Sequence, residues 1–185
     1  MKKNKKSIIS VIIIIGILIS IFFFWFIPEK SDSYSEPQEV LSAIDKNLLL
    51  IPAYKINDEA LFFFINEKNN LGATFVRKGS LGWKAEILTS SPMYKNGGYE
   101  HLSGYQVHGE NLIYGLIRNG DDRLIKVNEN NAVILNLVML PPSNVREYEL
   151  EGLYLWYYKG DTILNEGEIE LLNINTGEQL DTIDL

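Results

Sequence analysis

The run from Ser7 to Ile27 contains no charged side chain, and it constrains this chain more than any other feature of the sequence. As an α-helix the run spans roughly 30 Å, which is the thickness of the hydrocarbon core of a bilayer. Lipid offers no partner for open backbone N–H and C=O groups, so a helix is required there. The sequence therefore predicts a transmembrane helix over residues 7–27, with Trp25 near its outer end.

Four lysines precede this run, at positions 2, 3, 5 and 6. Positive charge is retained on the cytoplasmic side, so we expect a cytoplasmic tail at residues 1–6 and a cell-membrane protein whose remaining chain lies outside. Residues 28–35 are polar and predict a tether. An extracytoplasmic domain is then expected over residues 36–185, a length sufficient for one hydrophobic core.

Cleavage of the apolar run as a secretory signal is the alternative. Ser31-Asp32-Ser33 has the small-x-small pattern of a cleavage site, and Pro28 lies just upstream. Signal cores usually extend over about 7–15 residues, and this run is longer. The chain has no cysteine, which excludes a lipid-modified cysteine anchor. We expect a retained anchor, and cleavage near Ser33 stays open as the alternative.

The charge of the chain restricts its ligands. The formal net charge is −7, and without the four leading lysines 13 basic residues remain against 24 acidic ones, a net charge of −11. Such a surface repels nucleic acid and anionic lipid, so neither is expected as a ligand of the domain. The absence of cysteine also means that no disulfide stabilises the fold.

A short amphipathic helix is predicted at the start of the domain, near residues 36–46. Ser35 has the position of an N-cap, with Gln38 reaching back in a capping box. Val40, Leu41 and Ile44 follow at helical spacing, so one side of this helix should be buried.

The rest of the chain has the pattern of short strands, rich in β-branched and aromatic residues and separated by turn residues. The predicted strands are Leu48–Ile56, Ala60–Ile65, Ala73–Arg77, Trp83–Leu88, Leu112–Ile117, Leu124–Val127, Val133–Met139, Arg146–Leu150, Leu153–Tyr158, Glu168–Ile174 and Gln179–Ile183. Short loops favour antiparallel neighbours, so the predicted fold is all-β, an antiparallel meander forming a sandwich or a partly open barrel. The long segment 89–109 is predicted to be a loop, mobile or functional.

The sequence contains a weak internal similarity, which we call the echo, between Glu59-Ala60-Leu61 and Glu110-Asn111-Leu112. Blade-like repeats have this size, but propellers need about four or more blades. The sandwich is therefore preferred.

Few residues suggest catalysis. His101 and His108 belong to no metal motif and are predicted to be loop or surface residues. Glu166, Glu168 and Glu170 alternate, so they share one face of a strand. Such a set suits a cation site or a glycosidase, but a solvated strand face is the simpler interpretation, because Ile169 and Leu171 supply the opposite apolar face. The sequence predicts no catalytic residue, no metal and no cofactor.

Aromatic residues are the better indication of a site. Phe62, Phe63 and Phe64 predict a central strand that is buried on both faces. Tyr154, Trp156 and Tyr158 alternate along one strand and point to one face. A second sheet covers this row, or the helix near 36–46 lies on it, or it stays open as a binding platform for sugars or peptide side chains. These three residues are the predicted binding residues. Trp83 is predicted to pack on a neighbouring strand.

The pattern Ala60-Leu61-Phe62-Phe63-Phe64, then Lys78 and Gly82-Trp83-Lys84, resembles small extracytoplasmic proteins of Gram-positive bacteria. These proteins carry an N-terminal anchor or a lipoprotein signal and an all-β domain, and the resemblance covers roughly residues 59–84. It implies a location and a fold class and transfers no catalytic residues. This chain departs from the lipoprotein members because it has no cysteine.

Together these features predict a single-pass membrane protein whose outer domain is a binding or interaction module at the cell envelope. Its expected partners are the bilayer, through residues 7–27, and an envelope polymer or another membrane protein. A carboxylate-dependent enzyme acting on envelope polymers and an immunity-type membrane protein are the alternatives.

Overall fold

The protein is described by a computed structural model. It describes residues 13–21, 33–93, 98–102, 104–109, 111–164 and 166–185. Residues 13–21 are helical (α1) and are the described part of the predicted span; its two ends, the predicted basic tail and most of the tether lie outside the described residues. Within the described part of the chain, no helix is both long enough and apolar enough to cross a membrane.

The domain consists of short strands with two short helices. In chain order the elements are α2 (Pro37–Ile44), β1 (Leu49–Ile56), β2 (Glu59–Ile65), β3 (Asn70–Gly79), β4 (Gly82–Ala85), β5 (Thr89–Pro92), β6 (Gln106–His108), β7 (Leu112–Arg118), β8 (Arg123–Val127), β9 (Asn130–Asn131), β10 (Val133–Asn136), α3 (Pro142–Glu147), β11 (Leu153–Lys159), β12 (Glu168–Asn173) and β13 (Gln179–Asp184). The prediction of a mostly β chain is confirmed.

The strands form three antiparallel sheets. Sheet A has the order β1-β2-β3-β4, and β5 also pairs with β3. Sheet B has the order β10-β11-β7-β6, and sheet C has the order β13-β12-β8-β9. The chain passes between sheets B and C several times, so neither is built from one continuous segment. The echo between Glu59 and Glu110 therefore has no structural counterpart: β2 pairs with β3, whereas β7 and β8 lie in different sheets.

The three sheets are layered, and sheet B is the middle layer. One hydrophobic cluster joins sheets A and B and includes Phe63, Tyr114 and Leu155. A second cluster fills the space between sheets B and C and includes Trp156 and Ile169. A third lies on the other face of sheet A, beneath α2. Sheet B is therefore buried on both faces, as parallel sheets usually are and antiparallel sheets less often.

Strand β2 has the predicted burial on both faces. Phe63 points into the cluster with sheet B, while Phe62 points into the cluster with α2. The alternation of side chains along the strand explains how one strand serves both cores. The prediction from the run of phenylalanines is confirmed.

Helix α2 begins one residue later than predicted. Its N-cap is Glu36, with Pro37 at the first helical position. The backbone N–H of Glu36 donates to the Glu39 carboxylate at 3.3 Å, and the Ser35 hydroxyl donates to the same carboxylate at 2.8 Å. Proline prefers the first helical position because its missing N–H is not needed there. The prediction of a capping box between Ser35 and Gln38 was therefore wrong. Glu36 and Glu39 form the capping box instead.

Two further predictions of secondary structure were wrong. The segment Arg146–Leu150 is not a strand; helix α3 extends to Glu147 and begins at Pro142, again with proline at the start of a helix. The segment 89–109 is not only a loop, because it contains β5 and β6. Both are short edge strands, and β5 consists of polar residues and a proline, so they lack the apolar alternation of a buried strand.

Trp83 is buried, as predicted, and it packs with Phe62 and Val76 of sheet A. Its contact with α2 was not predicted. Its backbone exchanges two hydrogen bonds with Tyr34, at 3.1 and 2.8 Å. The chain thus joins sheet A at Tyr34, within the segment that the sequence assigned to the tether.

Candidate functional site

Polar side chains from sheets A and B meet at one end of these two layers. This end carries the β1–β2 turn, the β3–β4 turn, the β6–β7 turn and the exit of β11 at Lys159. A depression of about 350 Å³ lies there, beside a second of about 590 Å³, and Arg77 lines both. We call the two together the A–B cleft. The first is lined by Phe75, Arg77, Glu86, His108, Gly109, Asn111, Asp161, Thr162 and Ile163, and the second by Tyr54, Ile56, Asn57, Asp58, Glu59, Arg77 and Lys159.

Glu59 is the centre of the charged contacts in the cleft. Its Oε1 accepts a hydrogen bond from the Tyr54 hydroxyl at 2.7 Å and from the Lys159 ammonium. Its Oε2 accepts from Arg77 Nε at 3.2 Å. Arg77 stands directly opposite Glu59 in the register of β2 and β3, whereas Lys159 comes from β11. The carboxylate therefore ties sheet A to sheet B at the cleft.

These contacts fix the charge of Glu59. Partial burial raises the pKa of its carboxyl, but hydrogen bonds from Lys159 and Tyr54 and the attraction of Arg77 outweigh burial, so the net pKa is lowered. Burial and the hydrogen bond to Glu59 raise the pKa of Tyr54. Glu59 is thus ionised at neutral pH and does not have the raised pKa of a general acid.

Phe75 closes the hydrophobic core beneath the cleft. Its ring is buried, and two cations lie over it: Lys159 Nζ is 5.1 Å and the guanidinium carbon of Arg77 is 5.9 Å from the ring centroid. Cations are attracted to the face of an aromatic ring at these distances. The aromatic floor and Glu59 together hold both cations at the cleft.

His108 forms another wall of the cleft. It lies at the end of β6, only 6% exposed, with its ring centroid 5.7 Å from that of Phe75. Its Nδ1 is hydrogen-bonded to the Thr89 hydroxyl at 2.6 Å. Burial lowers the pKa of this histidine, and the nearby charge of Glu86 opposes that effect only in part. The ring is therefore neutral at pH 7.

The prediction that both histidines are loop or surface residues was wrong for His108. The side chain is enclosed because β6 pairs with β7 and turns His108 toward sheet A. His101 is exposed, as predicted, and lies 3.7 Å from Asp181. Among the described residues no buried side-chain nitrogen or oxygen lacks a hydrogen-bond partner. Since Thr89 occupies Nδ1, Nε2 is the ring nitrogen that is open to the cleft.

The mouth of the cleft offers both polar and apolar contacts. Arg77 and Glu86 form an ion pair at 3.0 Å, and both side chains are substantially exposed. Asp161 and Ile163 line the same depression, and both are exposed. No group of three histidine or acidic side chains in the described chain is placed to hold a metal ion. Donors, acceptors and an apolar contact around a small depression suit the recognition of a polar ligand.

The predicted binding residues lie elsewhere. Trp156 and Tyr154 are 1% and 8% exposed and pack between sheets B and C, and Tyr158 is half-buried against the same cluster. Of the three arrangements left open by the sequence, the structure shows the first, in which a second sheet covers the row. The three rings do not form an open platform.

Local contacts explain why this row is enclosed. The Tyr154 hydroxyl donates to Asp121 at 2.5 Å, and Gly120 lies against the Tyr154 ring. Gly115 is opposite Trp156 in the register of β7 and β11, and a Cβ at position 115 would lie 2.9 Å from Trp156 Nε1. Because Gly115 has no side chain, it leaves the space that the indole ring of Trp156 fills.

The glutamate row has the solvated arrangement that the sequence favoured only within β12, where Glu168 is exposed and Glu170 is half-buried; Glu166 lies before the strand and does not share its face. Ile169 and Leu171 are fully buried against sheet B, while Glu168 is exposed on the outer face of sheet C. The Thr182 hydroxyl donates to Glu168 within that face.

Sequence reasoning missed the cleft because its members are far apart in the chain. Lys159 follows Glu59 by 100 positions, and His108 lies in a segment with no strand signal. The one available signal was Glu59 and Arg77, opposite charges at the two ends of a predicted hairpin.

The chain matches no protein-family model, no curated protein sequence and no solved structure. Its function must therefore be inferred from its own sequence and geometry.

Proposed function

We propose that this chain is a membrane-anchored, extracytoplasmic binding module that holds a component of the cell envelope at the A–B cleft. The anchor rests on the uncharged run 7–27 and the four lysines before it. The resemblance to extracytoplasmic all-β proteins is in keeping with this location. Loops at one end of a rigid β scaffold commonly carry binding residues.

One observation carries the binding role. Charged and polar side chains from two different sheets converge on an open depression, and the buried Phe75 connects its floor to the hydrophobic core between the sheets. Ion pairs within the cleft hold these side chains in place before any ligand arrives, which reduces the entropy lost on binding.

The enzymatic alternative has less support. A carboxylate-dependent glycosidase needs one acid with a raised pKa beside a second carboxylate. Glu59 has a lowered pKa because its partners stabilise the ionised form. The cleft is therefore better suited to recognition than to acid–base catalysis.

The test is a pair of charge-matched double variants of the full chain. Glu86→Gln with Asp161→Asn changes two exposed carboxylates in the cleft and leaves Glu59 and Lys159 intact. The control, Glu170→Gln with Asp184→Asn, makes the same chemical changes on β12 and β13 of sheet C and leaves every residue that lines the A–B cleft unchanged. Both variants should unfold at nearly the same temperature as the native chain, because exposed ion pairs contribute about 0–1 kcal/mol.

The measurement is the attachment of each detergent-solubilised chain to isolated cell-wall and membrane fractions. We expect the cleft variant to bind at least about tenfold more weakly, since a lost hydrogen bond to a charged group costs about 1.5–3 kcal/mol. The control should bind as the native chain does. Equal attachment of the native chain and the cleft variant would contradict the proposal.

A further inference from the structure

The tether joins the domain at the same end as the cleft. Tyr34 pairs with Trp83, and Trp83 in turn stands opposite Lys78 in the register of β3 and β4. The backbone N–H of Lys78 donates to the carbonyl of Asp58, in the β1–β2 turn that borders the cleft, at 2.8 Å. Tyr34 is thus linked to the cleft rim by successive backbone contacts.

The residues that come after Tyr34 in the chain are also held at the cleft end of sheet A. Lys55, near the end of β1, forms an ion pair with Glu36 at 2.7 Å. Its ammonium also lies 5.2 Å from the centroid of the Trp83 ring. Residues on both sides of Ser35 are therefore fixed to the end of sheet A that carries the cleft.

Chain length limits the distance between this end and the bilayer. From Ile27, where the apolar run ends, to Tyr34 the chain spans at most about 25 Å when fully extended. The opposite end of sheet A carries the β2–β3 turn at Glu67, separated from the cleft end by strand β2, a length of about 20 Å. The cleft end is the part of sheet A that the tether holds near the membrane.

We propose that the A–B cleft faces the bilayer and binds the outward-facing polypeptide of a second membrane protein. This inference rests on the proposed function, and it adds the orientation and the kind of partner. A cleft held within the reach of a short tether meets molecules at the membrane surface more often than the distant parts of the wall.

The chemistry of the rim favours a polypeptide over a lipid headgroup. The net charge of −11 after the leading lysines repels anionic headgroups. Arg77 and Lys159 are already paired with Glu59, so they do not present free positive charge. Exposed Ile56 and Ile163 beside an arginine and a tyrosine form the mixed surface that is typical of protein interfaces.

The orientation is measurable because the chain has no native cysteine. Asp58→Cys labels the cleft end and Glu67→Cys labels the opposite end; both replace an exposed acidic residue in a turn. The full chain is reconstituted in vesicles, and energy transfer is measured from each label to an acceptor on the lipid headgroups. We expect position 58 to lie nearer the bilayer than position 67, by up to about 20 Å. Equal distances, or a nearer position 67, would overturn the orientation.

The same measurement in purely zwitterionic vesicles and in vesicles with anionic lipid separates tethering from headgroup binding. The difference between the label-to-bilayer distances of positions 58 and 67 should be the same in both kinds of vesicle. If it exists only with anionic lipid, the cleft binds headgroups and the polypeptide partner is excluded.

The partner is tested by photocrosslinking from position 58 in native membranes, with position 67 as the control. We expect an adduct of one discrete polypeptide mass from position 58, lost when Glu86→Gln and Asp161→Asn are added. The proposal of a polypeptide partner would be overturned by adducts of lipid mass or of heterogeneous polymer mass. It would also be overturned by equal adducts from position 67 or by the absence of any adduct. An adduct of lipid mass that the cleft substitutions abolish would refute this inference but leave the binding role intact. Unchanged attachment of the cleft variant to both envelope fractions would refute the binding role itself.

Discussion

At the scale of single residues, the environment of a side chain decides its role in this protein. Glu59 and Glu168 are both glutamates at the beginning of a strand. Glu59 contacts two cations and a tyrosine at the end of two sheets, whereas Glu168 lies on a solvated face. The former holds sheets A and B together, and the latter keeps the outer surface of sheet C polar.

His108 provides a prediction about pH. Its folded pKa is below its ordinary value of 6.5 because burial disfavours the charged ring. The unfolded chain therefore takes up a proton before the folded chain does, and stability falls as the pH drops below about 6.5, until the folded pKa is passed. Glu86 and Arg77 line the same cleft, and their opposite charges are paired with each other.

Thermal unfolding of the full chain at pH 7.5, 6.5 and 5.5 measures this effect. His108→Asn should remove most of the loss between pH 7.5 and 5.5, because asparagine does not titrate. His101→Gln, at an exposed position, should retain the native pH dependence. An unchanged slope in His108→Asn would show that other groups cause the loss.

A second prediction concerns Trp83. Its ring is 2% exposed between sheet A and α2, so Trp83→Ala should reduce the free energy of unfolding by about 3–5 kcal/mol. Urea denaturation measures the loss, and Trp83→Phe should cost less because a ring still fills the space. A loss below about 1 kcal/mol for Trp83→Ala would contradict the packing role.

At the scale of elements, layers cover one another and determine which faces are accessible. Strand β11 is covered by sheet A on one side and by sheet C on the other, so both of its rows contribute to cores. Helix α2 covers the outer face of sheet A through Val40 and Leu41. The two ends of the sheets remain accessible, and one of them carries the cleft.

The contact of α2 with sheet A provides a third prediction. Leu41 is fully buried, so Leu41→Ala should reduce the free energy of unfolding by about 2–5 kcal/mol through lost burial and a new cavity. Ile44, in the same helix, is 55% exposed, and Ile44→Ala should change stability by about 0.5 kcal/mol or less. Urea denaturation of both variants measures the difference. Similar losses in the two would show that α2 does not dock through Leu41.

At the scale of the whole molecule, the segment that follows the apolar run joins the domain at Tyr34, through its pairing with Trp83. Signal cleavage after Ser33 would leave Tyr34 paired with Trp83, so the domain fold tolerates either fate of the apolar run. The length of the run still favours retention. The proposed position of the cleft near a membrane depends on this distinction.

The fourth prediction is that the chain from the membrane fraction keeps its N-terminal segment. Intact-mass measurement should give a mass that includes residues 7–27. Leucine substitutions at Ser31 and Ser33, which remove the small-x-small pattern, should leave the processing unchanged. A mature chain beginning near Tyr34 would contradict the prediction and would also remove the basis for a membrane-facing cleft.

The sequence alone determined the β-rich class, the doubly buried β2, the solvated Glu168 face and most strand positions, because these follow from local alternation and turn chemistry. It also determined that residues 7–27 are uncharged and long enough to span a bilayer. Only the tertiary structure decided that Tyr154 and Trp156 are covered, that His108 is buried, and that Glu59, Arg77 and Lys159 meet. The physical reason is that alternation fixes which face a side chain is on, whereas the layer that packs against that face comes from distant parts of the chain.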